Sequence, residues 1–166
     1  MEMAMLINER AVRSELRKAI GRPDLQIDEY ATATEALKGL SSKGYALIVI
    51  DWKVYPGFGS DDPAIAEYAD MIPKMRHNEN LLYWQVELRV LESIRAAESP
   101  NRDTGVLLRL PEIPPIALFG VGDDLTRESI EEDLRGKEPV EAFYGVALAA
   151  WAEAMKHRLD RSAEGA

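Results

Sequence analysis

The chain has 166 residues, 46% of them hydrophobic and 30% charged, and 20 Lys and Arg against 29 Asp and Glu give it a formal net charge of −9. This is the make-up of one ordinary globular domain, long enough to bury roughly 70% of the surface of its unfolded form, and its acidity disfavours nucleic acid and anionic membranes. It has no cysteine and two histidines, His77 and His157, which excludes disulfides, thiolate metal sites, cysteine nucleophiles and multi-histidine centres.

Strand-like and helix-like stretches alternate along the chain. Met3-Ala4-Met5-Leu6-Ile7 is a short apolar run that predicts a buried strand ending at Asn8-Glu9. Ala11 to Ile20 carries Val12, Leu16, Ala19 and Ile20 at helical spacing and stops at Gly21-Arg22-Pro23. Leu25-Gln26-Ile27 alternates like a second strand. Thr32-Ala33-Thr34-Glu35 has the form of a capping box, followed by Ala36, Leu37 and Leu40 on one helical face. Tyr45 to Ile50 is continuously apolar, as a central parallel strand covered on both faces must be, and it ends at Asp51-Trp52.

A long connection, 53–80, comes next. Asp62 before Pro63 predicts a helix N-cap followed by proline in the first turn, with Ile65, Tyr68, Met71 and Ile72 as its apolar stripe. Leu81 to Glu98 is the longest helical pattern. Two apolar sets, Leu81, Trp84, Leu88 and Leu91 and then Tyr83, Val86, Val90 and Ile94, make a band wide enough to pack on the preceding segment or on a partner chain. After a loop with a possible short strand at Val106 to Leu108, Pro115 to Gly120 reads as the next strand. Asp123-Asp124 starts a helix with Leu125, Ile130 and Leu134, Val140 to Tyr144 reads as the last strand, and a final helix holds Leu148, Trp151, Met155 and Leu159. Residues 161–166 are expected to fray. Five β–α units in succession predict a parallel sheet with helices on both faces, a three-layer α/β/α sandwich. Ligands of such a fold bind beyond the carboxyl ends of the strands, which gathers Asn8, Glu9, Asp51, Trp52 and Gly120.

Asp51, directly after the central strand, is placed to act as a nucleophile or as an oxygen ligand of Mg²⁺, with Glu9 as a second carboxylate. The competing structural reading makes Asp51 a loop cap and Glu9 a helix-start acid. Gly120-x-Gly122 lacks the third glycine of a dinucleotide loop, and no serine sits in a G-x-S-x-G setting. His77 lies in a polar linker, and His157 near a helix carboxyl end, where a cation is favoured.

Three patches resemble the response-regulator receiver family: Asn8 to Arg13, Tyr45 to Trp52 with Pro56-Gly57, and Pro115 to Gly120. The resemblance implies a flavodoxin-like sheet in the order 2-1-3-4-5 in a single domain over 1–160. It implies Asp51 as phospho-acceptor from a histidine kinase, Mg²⁺ held by Glu9 and Asp51, and Phe143 or Tyr144 as a switch aromatic. The match departs from the family pattern in several places. Ile7 and Asn8 fall on the acidic pair, Gly120 on the hydroxyl residue, and the only lysine near the last strand, Lys137, precedes it. Losing a metal carboxylate, the hydroxyl and the lysine removes most of what stabilises transferred phosphoryl charge. A weaker resemblance is to the receiver-like N-terminal domains of bacterial ornithine, lysine and arginine decarboxylases, carried by Asp51 to Tyr55, Pro115 to Gly120 and Val140 to Tyr144. These domains contribute to assembly.

The expectation is therefore a non-enzymatic, atypical receiver-like regulatory domain. It would work through protein partners or self-association by apolar helix faces, without a cofactor and without binding nucleic acid or membrane. The alternatives are a working response regulator using Asp51 and Mg²⁺, and a small nucleotide-binding or hydrolytic enzyme using Asp51 with Asp123 or Asp124. The first seven residues are too few and too acidic for a signal peptide, and no apolar run nears the roughly 18 residues of a membrane helix, so the expected compartment is the cytoplasm.

Overall fold

The computed structural model describes residues 1–40, 44–51, 53–75, 79–96, 116–119, 127–136, 140–142 and 147–165. The strands are β1 (Glu2–Leu6), β2 (Gln26–Tyr30), β3 (Leu47–Asp51), β4 (Ile116–Phe119) and β5 (Val140–Ala142). The helices are α1 (Arg10–Ile20), α2 (Ala33–Gly39), α3 (Pro63–Met71), α4 (Glu79–Ala96), α5 (Arg127–Leu134) and α6 (Leu148–Glu164), with a 3-10 turn, Ile72–Lys74, after α3. The class is α/β with a parallel sheet. All four strand pairings are parallel and run β2-β1-β3-β4-β5.

Period-two alternation divides the core into two layers. Met3 and Met5 of β1, with Leu47 and Val49 of β3, pack against Leu16 and Ile20 of α1 and Trp151, Met155 and Leu159 of α6. Ala4, Leu6, Ile48 and Ile50 point to the opposite face, under α2, α3, α4 and Ile130 of α5. Both faces of β1 and β3 are therefore dry, which is why their sequences read as unbroken apolar runs.

Local signals set the helix ends. Gly21 adopts φ +56° at the end of α1, and its N–H donates to Arg17 O at 3.1 Å. A side-chain-bearing residue there would meet the left-handed penalty. Thr32 caps α2, its hydroxyl accepting from Glu35 N at 3.2 Å, while the Glu35 carboxylate accepts from Ala31 N at 2.8 Å. Asp62 caps α3 by accepting from Ala64 N at 2.9 Å and Ile65 N at 3.3 Å. Its other oxygen accepts from Arg89 Nε of α4 at 3.0 Å, so one buried carboxylate both starts α3 and ties it to α4.

The wide apolar band of α4 packs on the segment before it, one of the two neighbours expected for it, and two other expectations need revision. Tyr83, Trp84, Val86, Val90, Leu91 and Ile94 are buried, and α2 and α3 both pack on this helix. Only Leu81 of that band stands exposed. Residues expected to fray continue α6 to Glu164, because Leu159 is buried and the Ser162 hydroxyl donates to Ala46 O. β2 runs on to Tyr30, beyond the residues that alternate. Its acids are paired: Asp28 accepts from the Tyr45 hydroxyl at 2.9 Å, and Glu29 pairs with Arg13 and Arg17. Among the described residues no helix is long and apolar enough to cross a membrane. The possible strand at Val106 to Leu108 lies outside the described residues.

Candidate functional site

β1 and β3 end level with one another, since Leu6 is in register with Ile50. Asp51, the last residue of β3, is half-buried there and in register with Phe119 of β4. The residues expected near it separate into three groups. Asn8 is at this edge, half-buried, its amide donating to Ala31 O at 3.2 Å. Glu9 is exposed, in extended backbone at the N-cap of α1, and its side chain makes no capping bond. Trp52, Gly120, Asp123, Asp124, Lys137, Phe143, Tyr144 and His77 lie outside the described residues.

A cation fills the end of β1. Arg13, in the first turn of α1, reaches back so that its guanidinium donates to Ile7 O and, at 2.9 Å, to Asn8 O. Glu29 lies 3.6 Å from its Nε. Backbone carbonyls and carboxylates are the kind of oxygen donor that a divalent ion takes. Here a fixed positive charge occupies the carbonyls and opposes a second cation. Among the described residues no group of three or more His, Cys, Asp or Glu side chains stands together to hold a metal.

A second carboxyl bears on Asp51 from the other side. Glu87 of α4 is 0% exposed, and neither of its carboxyl oxygens has a hydrogen-bond partner. Burial pushes its pKa well above the ordinary carboxylate range, and the neighbouring Asp51 carboxylate pushes it further. Glu87 is therefore held in its protonated form far above the pH at which a free Glu ionises.

One turn before Glu87, Tyr83 meets the loop that leaves β3. The Tyr55 and Tyr83 rings are 4.8 Å apart and tilted by 52°. The Lys53 ammonium sits 4.8 Å from the Tyr83 centroid and 5.6 Å from that of Tyr55, within cation–π range. Asn8, Tyr55 and Tyr83 also border a cavity of about 590 Å³ that opens toward α2 and α3.

Arg13, Glu87 and the Lys53–Tyr55–Tyr83 group were not singled out from the sequence. Glu87 left a readable signal: it lies four residues after Tyr83 and four before Leu91, inside the apolar face of α4. The Arg13 contact and the aromatic pair depend on how the chain folds back on itself, and sequence spacing carries no trace of either.

No protein-family model matches the chain, and no curated protein matches it.

Proposed function

We propose that this chain is an atypical receiver-like regulatory domain that works through protein–protein contact, with Asp51 left unphosphorylated in normal use. The parallel strand order β2-β1-β3-β4-β5, with a carboxylate ending the central strand, supports the receiver-like part of this reading. The observation that carries the rest is the Arg13 guanidinium, which donates to the carbonyls that follow β1, beside the end of β3 where Asp51 stands. A phosphoryl group on Asp51 would bring roughly two negative charges to a half-buried residue. Phosphoryl transfer is catalysed mainly by positioned positive charge. The donor set does not fit the Mg²⁺ that a working receiver uses: Glu9 is exposed, and the Arg13 guanidinium holds the carbonyls ending β1. Contact with a partner is favoured by large apolar side chains left in solvent, with Phe58 86% and Leu81 45% exposed and Met71 and Met75 partly so.

The test is intact mass after incubation with acetyl phosphate and Mg²⁺, beside Asp51→Asn and a known receiver as positive control. An unchanged mass, with the control labelled, is the expected result. One added phosphoryl group that disappears in Asp51→Asn would overturn the proposal and make the chain a working response regulator served by a histidine kinase. In the same preparation, Leu81→Asp is expected to weaken association without changing the circular dichroism. A wild-type chain that stays monomeric at high concentration and captures no partner refutes the contact role.

A further inference from the structure

The cavity of about 590 Å³ is within the range of small-molecule sites. Its walls are pinned. Ala33 N donates to Tyr55 O at 2.8 Å, Thr34 N to Pro56 O at 3.0 Å, and the Thr34 hydroxyl to the same Pro56 O at 2.6 Å. Gly57, at φ +75°, brings its backbone so close to Thr32 that an added Cβ would lie 2.7 Å from the Thr32 hydroxyl oxygen. The loop after β3 is thus fastened to the start of α2, and the cavity between them is preformed.

Most of the lining is apolar, with Tyr55, Tyr83, Ile72 and Pro73 as walls and Phe58 at the rim, 86% exposed. Among the described residues no Lys, Arg or His lines it. Of the side chains that line it, only that of Glu35 carries a charge. The Thr34 hydroxyl donates to Pro56 O, and one N–H of the Asn8 side-chain amide donates to Ala31 O. The Asn8 side-chain oxygen Oδ1 and one Glu35 oxygen remain as acceptors, since the other Glu35 oxygen accepts from Ala31 N. Glu35 takes part in no ion pair among the described residues. The Tyr55 and Tyr83 rings already meet the Lys53 ammonium, so they serve a ligand as apolar walls, and its charge is met at the far side by Glu35.

We infer that this cavity is a binding site for a small organic cation, a protonated amine on an aromatic or apolar body, with the ammonium against Glu35 and Asn8 and the body against Tyr55, Tyr83 and Phe58. The inference does not depend on whether Asp51 is phosphorylated.

Amide chemical shifts of the full chain, titrated in parallel with phenethylamine, phenylacetate and 2-phenylethanol, test it. Phenethylamine is expected to shift Thr32, Gly57 and Phe58 selectively and to bind about tenfold tighter than either of the others. Glu35→Gln keeps an acceptor for Ala31 N and is expected to bring phenethylamine down to the affinity of 2-phenylethanol. Phe58→Ala, at an exposed position, is expected to weaken all three probes. Equal binding of phenethylamine and 2-phenylethanol to the wild type overturns the assignment of a cation, as does a preference for phenylacetate. An absence of localised shifts with every probe overturns the site itself.

Discussion

Replacing Glu87 by Gln probes the buried carboxyl beside Asp51 through the pH dependence of stability. The folded-state pKa of Glu87 is raised, so above the pH at which a free Glu ionises the folded chain retains a proton that the unfolded chain has released. Its contribution to stability is whole below the unfolded pKa of a Glu. It falls as pH rises above that value and is fully lost once pH passes the folded pKa. Between the two pKa values the loss is about 1.4 kcal/mol per pH unit. For a chain of this size that is about 3–5 °C in Tm per unit. Gln has the same shape and does not titrate. Both oxygens of Glu87 lack partners, so a buried Gln amide will carry a cost of its own, but that cost does not vary with pH. The slope of the difference between variant and wild type is therefore the quantity that tests the argument. Urea unfolding followed by tryptophan fluorescence, from about pH 5 to about pH 8, is expected to show Glu87→Gln gaining on the wild type as pH rises above the unfolded pKa of a Glu, and the gain levelling off once pH passes the folded pKa. Asp51→Asn removes the like charge, lowers the folded pKa of Glu87 and brings the plateau to lower pH. A difference that stays flat across this range would refute the assignment of a proton to Glu87.

Two other substitutions follow from the same packing. Asp62→Ala removes the cap of α3 and the partner of Arg89 together, with an expected loss of about 2–4 kcal/mol in urea unfolding, while Asp62→Asn keeps the capping oxygen and is expected to lose less. Gly57→Ala and Gly59→Ala both force a left-handed residue, at φ +75° and +74°, a cost of about 1–2 kcal/mol each, but only the Cβ at 57 runs into Thr32. The excess destabilisation of Gly57→Ala over Gly59→Ala in the same assay measures how rigidly the loop is fastened to α2, and equal losses would show that Thr32 yields.

The parallel α/β class was legible in the sequence because the central strands have nowhere wet to face. Met3 to Leu6 and Leu47 to Ile50 alternate between two dry layers, so each position must be apolar and the run carries its own signature. β2 was half-legible for the opposite reason. It lies at the edge of the sheet, and Asp28 and Glu29 look like turn residues until Tyr45, Arg13 and Arg17 are seen to pair with them. The broad band of α4 was visible as a pattern. Its occupants were not, because a wide stripe records how much surface must be covered and leaves open whether α3 or another molecule covers it.

At the carboxyl edge, Asn8 and Asp51 could be placed by strand counting alone. What the edge can do depends on which polar groups have capacity left after folding, and that is a property of the packed chain. On the α1 side, the carbonyls that follow β1 accept from the Arg13 guanidinium. Between β3 and α4, Glu87 is neutralised by its own proton. Toward α2 and α3, Glu35 is the one charged side chain among the residues that line an aromatic cavity, and one of its oxygens is left after the bond from Ala31 N. Glu35 lines the cavity and Asp51 does not, so an amine held in this cavity as proposed would pair with Glu35 and leave the carboxylate that ends the central strand untouched.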